Sequence, residues 1–193
     1  MEHQYEAVVI GGSAGGLGAL DMILPCLAPG SILAVLIVQH ISPGSDDFLA
    51  RHFGRICSLR VSEPEDKEPI LPGNIYIAPP NYHLMVETDR TIALSVDGRV
   101  NYSRPSIDVL FETAAQVYQE HLAGLILTGA NADGARGLAR VKDWGGLALV
   151  QNPETAEART MPESAIRAAA VDHILDLKAI GPFLNQLGTK GLS

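Results

Sequence analysis

The chain has 193 residues, 47% of them apolar and 19% charged, with 19 glycines and only 5% aromatics. That length and balance exclude a disordered or fibrous protein and fit one globular domain, residues 1–193, with an aliphatic core. Its 14 Lys and Arg stand against 22 Asp and Glu, a net charge of -8, so nucleic acid and direct membrane insertion are not expected, because both nucleic acid and anionic membrane are held by basic surface.

Residues 7–10 are a continuous Val/Ile-rich run closed by glycines, the pattern of a strand buried on both faces. Leu17, Leu20, Met22 and Leu27 then recur at helical spacing, residues 32–38 form a second buried strand, and Phe48, Leu49 and Phe53 supply the face of a second helix. From residue 69 to 100 the rhythm changes. Pro-Gly, Pro-Pro-Asn and Asp-Gly turn signals separate strand-like runs at 74–78 and 91–96, with Asp97-Gly98 a hairpin turn, so this stretch is expected to be an antiparallel insertion at one sheet edge.

Residues 122–127 and 147–150 are further buried strands, joined by a helix over 134–144 that Gly145 stops. A last strand over 171–175 and a helix over 180–187 follow. The alternation predicts an α/β fold: a doubly wound, mainly parallel sheet with helices on both faces and the hairpin insertion. The polar start carries no basic leader segment, and the apolar runs are too short to span a bilayer, so a cytoplasmic location is expected. Cys26 and Cys57, in apolar helical stretches without C-x-x-C spacing, are expected to be buried free thiols.

Gly11, Ser13 and Gly15 satisfy G-x-S-x-G between the first strand and first helix, the elbow that lifts a serine above a sheet edge. Two other uses of that turn compete: a phosphate cradle, though neither the P-loop nor G-x-G-x-x-G spacing is present, and a helix cap at Ser13. Of the histidines, His40 falls where the second strand stops, and adjacent strands of a parallel sheet open into one crevice at their carboxyl ends. Asp133 follows the strand over 122–127 and reaches the same edge; it could orient an imidazole or merely cap the next helix. His52, His121 and His173 fall on or beside helices, and His3 precedes the fold. No metal-ligand spacing occurs, Asp46-Asp47 being helix-start charge, and neither metal nor cofactor is expected.

With these residues in view, the chain resembles the catalytic domain of the chemotaxis protein-glutamate methylesterases, the CheB family. The resemblance runs essentially end to end, through Gly-Gly-Ser-Ala-Gly-Gly at 11–16, Val38-Gln39-His40, Pro-Gly-Asn-Ile-Tyr-Ile-Ala-Pro-Pro at 72–80 and His83-Leu84. It continues through Arg-Pro-Ser-Ile-Asp-Val-Leu-Phe at 104–111, Leu127-Thr128-Gly129, Asp133-Gly134-Ala135 and Met161-Pro162. The resemblance implies a Ser13, His40, Asp133 triad that hydrolyses glutamyl methyl esters on the cytoplasmic part of a chemoreceptor, some members also deamidating glutamines. It also implies an oxyanion site near the Ala14 N–H and the 129–130 loop, and Arg104 and Tyr76 along the approach. A chemosensory kinase or a separate response regulator is the further partner it brings.

The chain departs from the family pattern in three places. The catalytic pattern starts at residue 5, where family members usually begin with a receiver domain, and Met1 fits a stand-alone chain. Thr-Gly-Ala-Asn at 128–131 replaces the usual Thr-Gly-Met-Gly, which is expected to alter oxyanion geometry or substrate fit. Ala14 replaces a threonine, which is expected to lower the rate without abolishing it. A receptor-binding module with little turnover is the alternative that these departures favour.

Overall fold

The computed structural model describes residues 4–40 and 48–189; the expectations for His3 and for Asp46-Asp47 lie outside them. A seven-stranded sheet is built from β1 (Ala7–Gly12), β2 (Ala34–Gln39), β3 (Arg60–Ser62), β4 (Asn74–Ile77), β7 (Leu122–Ile126), β8 (Leu147–Gln151) and β9 (His173–Leu175). Their order is β3-β4-β2-β1-β7-β8-β9, with every pairing parallel. β5 (His83–Val86) and β6 (Ile92–Ser95) make a separate antiparallel pair. The doubly wound α/β expectation therefore holds.

The continuous apolar strands follow from the layering. Val9, Leu36, Ile126 and Val150 point into a core shared with α3 (Ile107–Tyr118), α4 (Ala135–Asp143) and α5 (Thr160–Ala168). Their strand neighbours Val8, Ile10, Val35, Ile37 and Leu149 point the other way, onto α1 (Gly16–Ile23), α2 (Phe48–Ile56) and α6 (Leu177–Gly188). Each strand position is thus apolar because it meets a helix on one face or the other, at roughly 1.5–3 kcal/mol per fully buried aliphatic side chain.

The middle of the chain is finer-grained than its turn signals imply. The antiparallel hairpin is real but spans only β5 and β6, and it turns through 88–90, where Glu87 and Thr91 close it. Asp97-Gly98 follows β6 instead of joining two strands. Residues 74–77 leave the insertion altogether and pair in parallel with β2 and β3, because Ile75 and Ile77 are needed in the core under α2. Cys26 is exposed and Cys57 is partly buried, which corrects the expectation of two buried thiols. Burial and the charge of Asp21 push the Cys57 thiol up to about 11, which makes it a poor nucleophile.

The chain runs from β1 outward to β2 on one side and later returns to β7 on the other, so β1 is where the winding reverses. In open parallel sheets the crevice at such a reversal, beyond the carboxyl ends of the strands, is where ligands bind. No helix among the described residues is long and apolar enough to cross a membrane.

Candidate active site

β1 is buried along its whole length and ends at Gly12; the chain then turns through Ser13, Ala14 and Gly15 into α1. Gly15 takes a φ of 77°, a left-handed conformation that a side chain would strain, and it occupies the helix cap position. Ser13 is therefore not the cap of α1. The turn is pinned from both neighbouring strands: the Ser13 N–H donates to Thr128 O at 3.0 Å, Thr128 Oγ1 donates to Ala14 O at 2.8 Å, and Gln39 Nε2 donates to Ser13 O at 2.7 Å.

Among the described residues no acceptor takes the Ala14 N–H, which leaves it for an oxyanion at the positive end of α1. Gly129 is not available in the same way, because its N–H donates to Ala158 O at 3.0 Å. Gly16 matters for a packing reason: a Cβ there would occupy the position of the Gln39 amide. Gly16→Ala is expected to push Gln39 off the Ser13 carbonyl, lowering kcat about 10-fold while Tm falls by only about 2–4 °C. Steady-state kinetics beside a thermal melt would check this, and a large Tm loss with unchanged kcat would count against it.

The register Gly12↔Gln39 brings Ser13 and His40 side by side just past two paired strands, and the His40 N–H donates to Gly12 O at 3.0 Å. Asp133 reaches the same edge from the loop after β7. His40 Nε2 donates to Asp133 Oδ2 at 2.9 Å, with side chains 13% and 0% exposed. Asp133 thus takes Nε2 and not Nδ1, the nitrogen that the carboxylate takes in chymotrypsin-like proteases. No hydrogen bond joins the Ser13 hydroxyl to His40 in this structure. In catalytic sites such a gap commonly closes when substrate docks.

Asp133 does cap a helix, but not the one that follows it. α4 has Gly134 in its cap position, with a φ of 93°, and no side chain caps it there. The Asp133 carboxylate instead sits at the start of α3, accepting from the N–H groups of Ile107 (2.7 Å) and Asp108 (3.2 Å), from Ser106 Oγ (2.9 Å) and from Asn101 Nδ2 (2.8 Å). Asp108 in turn accepts from the Gly137 N–H of α4 at 2.7 Å, so each helix start is held by a carboxylate from beside the other.

Burial pushes the Asp133 carboxyl up. The hydrogen bonds from His40, Asn101, Ile107 and Ser106 outweigh burial and hold the carboxyl below its ordinary range. Asp108 goes the other way: burial raises it, and the nearby Asp133 charge adds to that against the bonds from Gly137 and Asn101. Asp133 is thereby kept as the charged partner that an imidazolium needs.

Asn101, Ser106 and Asp108 are the supporting residues that the sequence analysis does not single out. Their signal is a serine followed by an acidic first turn, the mark of a helix start. Tyr76 does not line the approach, and Arg104 is half-exposed beside the turn after β6. Tyr76 is buried in the core with its hydroxyl donating to Pro69 O, and Arg104 Nη1 donates to the carbonyls of Val96 and Asp97. His83 is a buried structural residue, its Nδ1 accepting from the Ser106 N–H and its Nε2 donating to Gly98 O. His52, His121 and His173 lie at the surface or half-buried.

The family description "CheB methylesterase" matches residues 8–184. The chain is 51% identical, over 97% of both chains, to a Leptospira interrogans protein provisionally named protein-glutamate methylesterase/protein-glutamine glutaminase. It is 36% identical to a Thermotoga maritima protein of that name, covering 88% of this chain and 50% of the relative. The crystal structure of the Thermotoga maritima CheB methylesterase catalytic domain superposes with a TM-score of 0.90 at 34% identity, covering 95% of this chain and 99% of that one. The chain belongs to the CheB methylesterase family.

Proposed function

We propose that the protein is a serine hydrolase that cleaves glutamyl methyl esters on the helical cytoplasmic part of a methyl-accepting chemoreceptor, with Ser13, His40 and Asp133 as its triad. The observation that carries this reading is the buried His40–Asp133 hydrogen bond beside the serine elbow. Ser13 Oγ attacks the ester carbonyl while His40 Nδ1 takes its proton, and Asp133 steadies the imidazolium. The Ala14 N–H receives the oxyanion, the proton passes from His40 to the departing methoxide, and methanol leaves an acyl-serine. Water, deprotonated by His40, then releases the glutamate and restores Ser13. A glutamine side chain follows the same path with ammonia as leaving group, in line with the double name that the relatives carry.

Membership of the family supports receptor substrates. The test is methanol release from radiolabelled, methylated receptor fragments, together with mass mapping of the adduct formed by a fluorophosphonate. Release with the adduct on Ser13 supports the reading. Receptor binding without release or adduct would favour the regulatory-module alternative.

A further inference from the structure

The ring nitrogen that Asp133 leaves open is not left to solvent. Asn131 Nδ2 lies 3.5 Å from His40 Nδ1, at the long limit of a hydrogen bond. The orientation of that amide follows from its other end, because Asn131 Oδ1 accepts the Asp133 N–H at 3.0 Å. An oxygen must face that backbone donor, so the NH2 group must face His40. A donor facing Nδ1 requires that nitrogen to be without a proton. Asp133, an acceptor at Nε2, requires the proton to sit there. The two contacts select the same tautomer from opposite sides of the ring.

We propose that Asn131 is a positioning residue for the base: its amide holds the His40 ring in plane and keeps Nδ1 as the proton-free nitrogen that Ser13 must use. This rests on the triad reading above. When substrate docks, the Ser13 hydroxyl replaces the amide as donor to Nδ1, and the length of the resting contact makes that exchange inexpensive. The neighbouring Ala130 and Ala132 side chains carry no hydrogen-bonding group, so this function falls to Asn131 within its loop.

Two substitutions separate this from a turn-capping role. Asn131→Asp keeps an oxygen for the Asp133 N–H but turns the donor facing Nδ1 into an acceptor, which holds a proton there and disarms the base. Asn131→Ala loses both contacts. The expected order is wild type, then Asn131→Ala with kcat down about 3- to 10-fold and KM unchanged, then Asn131→Asp with kcat down about 100-fold or more.

The second readout is independent of turnover: ring 15N spectra at about pH 8, with His40 assigned from a His40→Ala spectrum. Wild type should show a proton on Nε2 alone, Asn131→Ala should shift the Nδ1 resonance as a lost lone-pair contact does, and Asn131→Asp should show both nitrogens protonated. Asn131→Asp matching wild type while Asn131→Ala is impaired would overturn the proposal in favour of a turn cap. An unmoved Nδ1 resonance in Asn131→Ala would overturn it as well. A wild type without esterase activity but with these spectral changes would sink the triad reading and leave the Asn131 contact standing.

Discussion

Ser13→Ala is expected to cut methanol release from methylated receptor fragments by about 10⁴-fold or more, with a change in folding stability of less than about 1 kcal/mol. The two halves of that expectation have separate causes. The activity loss follows because no other hydroxyl occupies the elbow: Ala14 has none, and the Thr128 hydroxyl is already donated to the Ala14 carbonyl. Stability survives because the elbow is held by backbone groups of Ser13, its N–H on Thr128 O and its carbonyl under Gln39, which alanine keeps. Release measured beside a urea titration checks both. Substantial release by a folded Ser13→Ala protein would mean that another group attacks the ester.

The parts of this molecule that were legible in the sequence are those governed by local rules. Residues 7–10 and 122–127 are continuous apolar runs because helices cover both faces of the sheet, and such runs announce themselves without knowledge of the partner. The glycine-flanked Ser13 and the stop at Gly145, whose φ is 85°, are equally local. α3 was not among the elements read from the sequence, although Ile107, Leu110, Phe111, Ala114 and Tyr118 keep helical spacing after Ser106. Residues 74–77 were not legible. A short run between Pro-Gly and Pro-Pro signals pairs equally well in a hairpin or a parallel sheet, and only the vacancy beside β2 decides.

The site divides along the same line. Ser13, His40 and Asp133 each follow a strand, and strand ends on one sheet edge converge by topology. What holds Asp133 is a cap across two helices, between residues more than twenty positions apart, and no spacing rule reaches it. Asn131 stood out only as a departure from the family pattern; its purpose needed the position of the ring.

Asp133→Asn is expected to be nearly as damaging to activity as loss of the serine and far more damaging to the fold. Every partner of this carboxylate is a donor: His40 Nε2 and the Ile107 N–H on one oxygen, Asn101, Ser106 and the Asp108 N–H on the other. A carboxamide placed either way points an NH2 group at a backbone N–H. An NH2 on the His40 side also drives the proton to Nδ1, the wrong tautomer. The expected loss is about 10³- to 10⁴-fold in kcat and about 2–4 kcal/mol in stability.

The stability loss should depend on pH in a definite direction. The folded Asp133 carboxyl lies below its unfolded value, so its contribution is complete above the ordinary carboxylate range and fades as pH falls through the lowered folded value. The gap between wild type and Asp133→Asn should therefore be widest near neutrality and narrow in acid. Asp108 runs in the opposite sense: its raised carboxyl weakens the native state as pH climbs through it, and removing the Asp133 charge relieves part of that strain. Urea titrations of both proteins from about pH 3 to 7 would read the gap directly. A gap that widens toward acid would mean that the carboxylate is held by its surroundings as the neutral acid, and then it could not steady an imidazolium.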